Sequence, residues 1–97
     1  MKISRVLISV SDKKDIVEFA HELSEMGAEI VSTGGTAKVL RQAEVNVREI
    51  SQLTQFPEIL DGRVKTLHPK IFGALLAKRT NLAHEHQLRQ HEIQNID

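Results

Sequence analysis

Short apolar runs alternate with segments of helical spacing through the first half of the chain. Val6-Leu7-Ile8-Ser9-Val10 is a compact run rich in β-branched residues and bounded by polar ones. It predicts a strand buried on both faces, as in a parallel sheet. Ser11 and Asp12 follow as N-cap candidates. Ile16, Val17, Phe19, Ala20, Leu23 and Met26 then recur at helical spacing, with Gly27 placed to end the helix. Ala28 to Val31 predicts a second strand. Ser32-Thr33-Gly34-Gly35-Thr36 turns the chain into a second helix with Ala37, Leu40 and Ala43 on one side, and Val45 and Val47 alternate like a third, shorter strand. Strand, helix, strand, helix, strand in this order is the signature of an α/β fold with a parallel sheet and right-handed crossovers.

After Ile50 the pattern loosens. Gln52 to Leu60 contains Phe56, Ile59 and Leu60 and predicts a short helix with Pro57 in its first turn. Ile71 to Leu76 is apolar over a length that fits strand or helix equally. Asn81 is the N-cap candidate for a polar last helix holding His84, His86 and His91. Ile93 and Ile96 read as the approach to one more strand, and the sequence then reads as cut rather than finished.

Composition narrows the picture. Ninety-seven residues make about one small domain with a limited core. Thirteen basic and thirteen acidic residues cancel, so no global electrostatic footprint points to nucleic acid or to an anionic membrane, and any anion binding has to be local. Three phenylalanines, with no tryptophan and no tyrosine, give little material for stacking single-stranded bases. Without cysteine there is no disulfide framework and no thiolate-ligated metal, which fits a reducing cytoplasm. The apolar run near the N-terminus is too short for a signal-peptide core or a membrane span, and the expectation is a soluble intracellular protein.

Three turns carry candidate chemistry. The first, Ser9-Val10-Ser11-Asp12-Lys13, lies at the carboxyl end of the first predicted strand, the edge where open parallel sheets bind ligands. Its hydroxyls and Lys13 suit an anion, or else simply cap a helix. The second, Ser32-Thr33-Gly34-Gly35-Thr36, is placed equivalently after the second strand. Paired glycines let backbone amides approach a phosphate, although the turn is neither a Walker A loop nor a GxGxxG fingerprint. The third is Gly62-Arg63-Val64-Lys65-Thr66-Leu67-His68-Pro69, where a glycine opens and a proline closes a run holding two cations, a hydroxyl and an imidazole. Arg63 offers a planar fork of donors and Lys65 a mobile point charge, so this loop suits an anionic substrate. His68, ahead of a proline, reads as a structural hydrogen bonder. On a helix, His84 and His86 point about 200° apart and cannot chelate one ion, while His84 and His91 stand two turns apart. These histidines therefore read as a solvated polar face, with no metal site.

Three blocks together resemble a known family. SVSDK at 9–13, STGGTAK at 32–38 and FPEILDGRVKTLHP at 56–69 are similar to the N-terminal inosine monophosphate cyclohydrolase domain of the bifunctional purine-biosynthesis enzyme, whose other activity is aminoimidazole carboxamide ribonucleotide (AICAR) transformylase. STGGTAK alone is shared with methylglyoxal synthase and with the regulatory domain of carbamoyl phosphate synthetase, whereas GRVKTLHP points to the cyclohydrolase. The resemblance runs over nearly the whole chain. It implies a methylglyoxal-synthase-like domain, a three-layer α/β/α sandwich, incomplete at its C-terminal end. It implies a ring closure in which the exocyclic amine of a formylated ribonucleotide attacks its own formyl carbon and water leaves, giving inosine monophosphate.

By the same resemblance, Ser11, Asp12, Lys13, Thr33, Gly34, Gly35, Thr36, Arg63 and Val64 contact the nucleotide. Lys65 and Thr66 are implied contacts too, and the expectation is that Lys65 steadies charge on the formyl oxygen with Thr66 in support and Lys13 nearer the phosphate. The implied step needs no cofactor or metal, and 10-formyltetrahydrofolate belongs only to the transformylase domain, which has no counterpart in residues 1–97. The family's later pocket residues have no counterpart either, so the expectation is the N-terminal part of a cyclohydrolase domain, inactive alone and homodimeric in its full-length parent. A stand-alone module sensing a phosphorylated metabolite and a lyase acting on a triose phosphate are the competing readings. Lys65 favours the enzyme over the sensor, and the lyase's acid and base residues find no placement here.

Overall fold

The computed structural model describes residues 2–62 and 64–97. Three parallel strands, β1 (Arg5–Ile8), β2 (Glu29–Ser32) and β3 (Val47–Glu49), form one sheet in the order β1-β2-β3. Arg5 pairs with Glu29 and Ile8 with Ser32 across the first interface, and Ile30 with Val47 across the second. Helices α1 (Ile16–Glu25) and α2 (Gly34–Gln42) form the two crossovers, followed by α3 (Ile50–Thr54), α4 (Pro69–Leu76) and α5 (Leu82–Gln90).

Alternation along the strands divides the interior. Ile8 and Ile30 face α1 and α2 and pack with Ile16, Ala20, Leu23, Leu40 and Val45, joined by half-buried Val6 and Val47. Val31 faces the other way and packs with Ile50, Ile71, Ala74 and Ile96, joined by half-buried Leu7. A strand's side chains point to opposite faces in turn, so two cores on one thin sheet mean helices on both sides. The expected three-layer α/β/α arrangement is what these residues build.

Several local expectations need correction. Ser11 and Asp12 do not cap α1, which begins at Ile16 behind an Asp15 in left-handed conformation. The Asp12 carboxylate instead accepts the Lys14 N–H at 2.9 Å, and this local turn competes with an earlier helix start. Phe19 and Met26 share the apolar spacing of α1 but lie exposed on its flank. The helix predicted over Gln52–Leu60 is displaced. Helix α3 starts earlier, under a capping box between Glu49 and Gln52, and ends at Gln55 in left-handed conformation, so Pro57 follows the helix rather than opening it.

Ile71–Leu76 resolves as helix, begun by Pro69 at its first position and by His68, whose Nδ1 accepts the Lys70 N–H at 3.1 Å. His68 is thus the structural hydrogen bonder that its position suggested. Asn81 caps α5 as expected, its side-chain oxygen accepting the His84 N–H. Ile93 and Ile96 form no strand among the described residues. The chain nevertheless runs beside β1 there, where the Asp97 N–H donates to the Arg5 carbonyl at 2.8 Å. Among the described residues no helix is long and apolar enough to cross a membrane.

Candidate functional site

The carboxyl ends of β1 and β2 lie side by side, and the turns that leave them interlock. The Ser9 and Thr33 hydroxyls lie 3.1 Å apart. Thr36 Oγ1 donates to the Val10 carbonyl at 3.1 Å and accepts the Val10 N–H at 3.3 Å. Ser32 Oγ donates to the Ile8 carbonyl at 2.6 Å. Thr33 and Thr36 are buried, so their hydroxyls spend their bonding capacity on holding the two turns together. The result is a rigid floor from which the exposed Gly34 and Gly35 project at the start of α2.

Cations reach this floor from two directions. Lys13 folds back so that its Nζ donates to the Val10 carbonyl at 2.6 Å and contacts the Ser11 carbonyl at 3.4 Å. Its Cε would lie 3.6 Å from a Cβ at Gly35. On the other side stands Lys65, whose Nζ is 3.9 Å from Glu58 Oε1. The Glu58 carboxylate itself would lie 3.5 Å from a Cβ at Gly34. Ser32, Thr33, Gly34, Phe56, Glu58 and Lys65 line a cavity of about 70 Å³ at this edge. Positive charge beside exposed helix-start amides is an arrangement suited to an anion.

The eleven site residues predicted from sequence fall into groups. Lys13, Gly34, Gly35 and Lys65 come together around the start of α2, while Thr33 and Thr36 form the floor beneath them. Ser11 contributes its carbonyl to Lys13, and Asp12 is engaged with Lys14. Val64 forms an isolated antiparallel bridge with Ile59, and the Thr66 carbonyl accepts the His68 N–H at 2.8 Å. Arg63 lies outside the described residues. Sequence reasoning passed over Glu58, although it stood inside the quoted FPEILDG stretch. A lone acidic residue there carries no spacing signal, and only the fold brings it to Gly34, Gly62 and Lys65.

The histidine face is less solvated than expected. His84 is half-buried, and its Nδ1 accepts the Lys78 N–H at 3.0 Å. His68, His84 and His91 line a larger groove between α4 and α5 with Gly73, Leu88 and Ile93. Among the described residues no three side chains are placed to hold a metal ion together.

Comparison with known proteins decides the family. The family described as MGS-like domain matches residues 15–96. This chain belongs to the MGS-like domain family. It is 57% identical over 97 residues to the bifunctional purine biosynthesis protein PurH of Bacillus subtilis (strain 168), covering all of this chain and 19% of that protein. It is 56% identical over 95 residues to PurH of Jannaschia sp. (strain CCS1), covering 98% of this chain and 18% of that protein. PurH of Magnetococcus marinus is 53% identical over 96 residues, again with 18% of its length covered.

The chain thus spans less than a fifth of these curated relatives. The crystal structure of ForH superposes with a TM-score of 0.88 at 33% identity, covering 98% of this chain and 50% of that one. The MGS-like fold expected from the sequence is the fold found.

Proposed function

We propose that this chain is the N-terminal part of an inosine monophosphate cyclohydrolase domain and carries the phosphate side of its nucleotide site. The observation that carries the reading is the pair of exposed glycines at the start of α2 with Lys13 on one flank and the Glu58–Lys65 pair on the other. Similarity to PurH proteins over the whole chain supports a purine ribonucleotide as the ligand. In the proposed reaction the carboxamide nitrogen of 5-formamidoimidazole-4-carboxamide ribonucleotide attacks the formyl carbon of the same molecule. The C–N bond closes the ring, and the formyl oxygen departs as water with two protons, leaving inosine monophosphate. An intramolecular attack owes most of its rate to positioning, so no cofactor enters the scheme.

Within that scheme Lys65 steadies negative charge on the formyl oxygen, Thr66 supports it, and Lys13 serves the phosphate. Ser11, Asp12, Thr33, Thr36, Arg63 and Val64 complete the contacts, Thr33 and Thr36 by fixing the backbone that presents Gly34 and Gly35. The parent enzyme is proposed to be a cytoplasmic homodimer whose separate transformylase domain uses 10-formyltetrahydrofolate, and residues 1–97 alone are proposed to bind nucleotide without full turnover.

Calorimetric titration with inosine monophosphate tests the site, with plain inosine as the control. Binding should require the phosphate and weaken about 10- to 100-fold in Lys65→Ala, the scale of a lost charge-assisted hydrogen bond. Equal binding of inosine, or an unaffected Lys65→Ala, would sink the reading.

A further inference from the structure

Glu58 sits where an anionic ligand of this site would have to go. Its Oε1 and Oε2 lie 3.5 and 3.6 Å from the position of a Cβ on Gly34, and Oε1 lies 2.7 Å from that position on Gly62. The carboxylate is therefore wedged between two glycines, one at the start of α2 and one in the basic loop, with the Lys65 ammonium 3.9 Å away. A Cβ on Gly62 would push this carboxylate aside, and one on Gly34 would stand in contact with it. A negatively charged oxygen pair in this seat has the charge and approximate span of part of a phosphate.

The cavity beside it, about 70 Å³, falls well below the roughly 300 Å³ at which small-molecule pockets begin. A nucleotide's phosphate can take the seat between Gly34 and Gly62 only if the Glu58 carboxylate leaves it. The floor is tied by the Ser9–Thr33 and Thr36–Val10 contacts, so the movable wall is the segment carrying Phe56 and Glu58. That segment is built for change. Gln55, Leu60, Asp61 and Gly62 all have positive φ, and among the described residues the segment is bridged by the Ile59–Val64 pair, with bonds of 3.1 and 3.3 Å. Left-handed backbone at non-glycine residues stores strain, which lowers the cost of an alternative arrangement.

We infer that Glu58 is a gating residue: in the free protein its carboxylate occupies the anion seat between Gly34 and Gly62 and holds Lys65, and a phosphorylated ligand displaces it to enter. This regulation rests on the nucleotide reading proposed above. Lys65 is held by an internal carboxylate until the ligand enters and is then released toward the formyl oxygen, and unphosphorylated molecules cannot open the site because they bring no anion to take the carboxylate's place between Gly34 and Gly62. Such a gate discriminates by charge before any contact with base or sugar is made.

The test compares the unmodified chain with Glu58→Gln by two readouts, titration with inosine monophosphate and with inorganic phosphate, and amide hydrogen exchange of residues 56–66 without ligand. Glutamine keeps the size of the side chain and removes its charge. Faster exchange in the free Glu58→Gln protein, together with phosphate-dependent binding about fivefold tighter, is expected, fivefold being the scale of one exposed ion pair. Unchanged exchange overturns the gate, because the carboxylate then does not hold the loop. Binding that is equal or weaker in Glu58→Gln overturns it too, since the carboxylate would then not compete with the ligand. Absence of phosphate-dependent binding from both proteins overturns the nucleotide reading and the gate with it. The two failures are distinguishable, because failure of the gate alone leaves binding by the unmodified chain intact.

Discussion

Gly62 is the residue at which backbone and side-chain constraints meet. Its φ of 79° lies in the left-handed region, and a Cβ there would stand 2.7 Å from Glu58 Oε1. Gly62→Ala should therefore destabilise the chain by about 1–2 kcal/mol for the backbone alone, read from the midpoint of urea denaturation. Combining it with Glu58→Gly removes the clash but not the backbone cost, so the double variant should recover only part of the loss. Sequence inspection found Gly62 as the opening of a basic loop, and that much follows from residue type. Its neighbour Glu58 was invisible because nothing in a string of letters says which side chain will fill the space a glycine leaves. The hydroxyls of Thr33 and Thr36 show the converse. Their residue type suggested ligand contacts, and only the fold shows that their burial and their bonds to Ser9 and Val10 also make them struts.

At the scale of elements, periodicity was a good guide wherever a helix or strand had a face to bury. β1, β2, β3, α1 and α2 lie within a residue or a few of the positions that the apolar spacing indicates. The predictions failed where local hydrogen bonding overrides that spacing. Glu49 and Gln52 close a reciprocal cap that starts α3 before Pro57, and Asp12 makes a turn that delays α1. Periodicity could not assign Ile71–Leu76, but Pro69 and the His68 cap settle it as α4. Helix α5 depends on its cap more than the others do, since Leu88 is its one buried residue. Asn81→Ala removes the acceptor for the His84 N–H and should cost about 1 kcal/mol. Circular dichroism during thermal unfolding would show it as a lower midpoint, and an unchanged midpoint would mean that the cap is not needed.

For the whole molecule, Asp97 fastens the far end of the chain to the first strand. Its Oδ2 accepts the Ser4 N–H at 2.8 Å and the Arg5 N–H at 3.0 Å, and Arg79 approaches its Oδ1 at 2.9 Å. These two backbone donors, chiefly, and Arg79 hold its carboxyl below the usual aspartate range, against the opposing effect of burial. A carboxylate whose folded pKa is depressed contributes stability that is present above its unfolded value, about 3.8, and is lost as pH falls through the lower folded value. Asp97→Asn should accordingly lower stability at neutral pH and flatten the acid limb of the stability curve below about pH 4. Chemical denaturation between neutral pH and pH 3 would measure it, and parallel curves for the two proteins would refute the assignment. Sequence reading placed Ile93 and Ile96 on the way to a strand but gave no hint of this tie, which joins residues at opposite ends of the chain.

The strand order also sets the sequence in which the molecule can assemble. Each strand pairs with the next one along the chain, so the first pairing closes a loop of 24 residues and the second a shorter one, whereas the Asp97–Arg5 contact closes 92. Loop-closure entropy rises with length, and α1 and α2 shorten the effective path by folding as they form. The floor of the candidate site needs nothing beyond Thr36 and is therefore complete as soon as β1, α1, β2 and the first turn of α2 have formed. On a ribosome, that unit would emerge and fold while α4 and α5 were still being made.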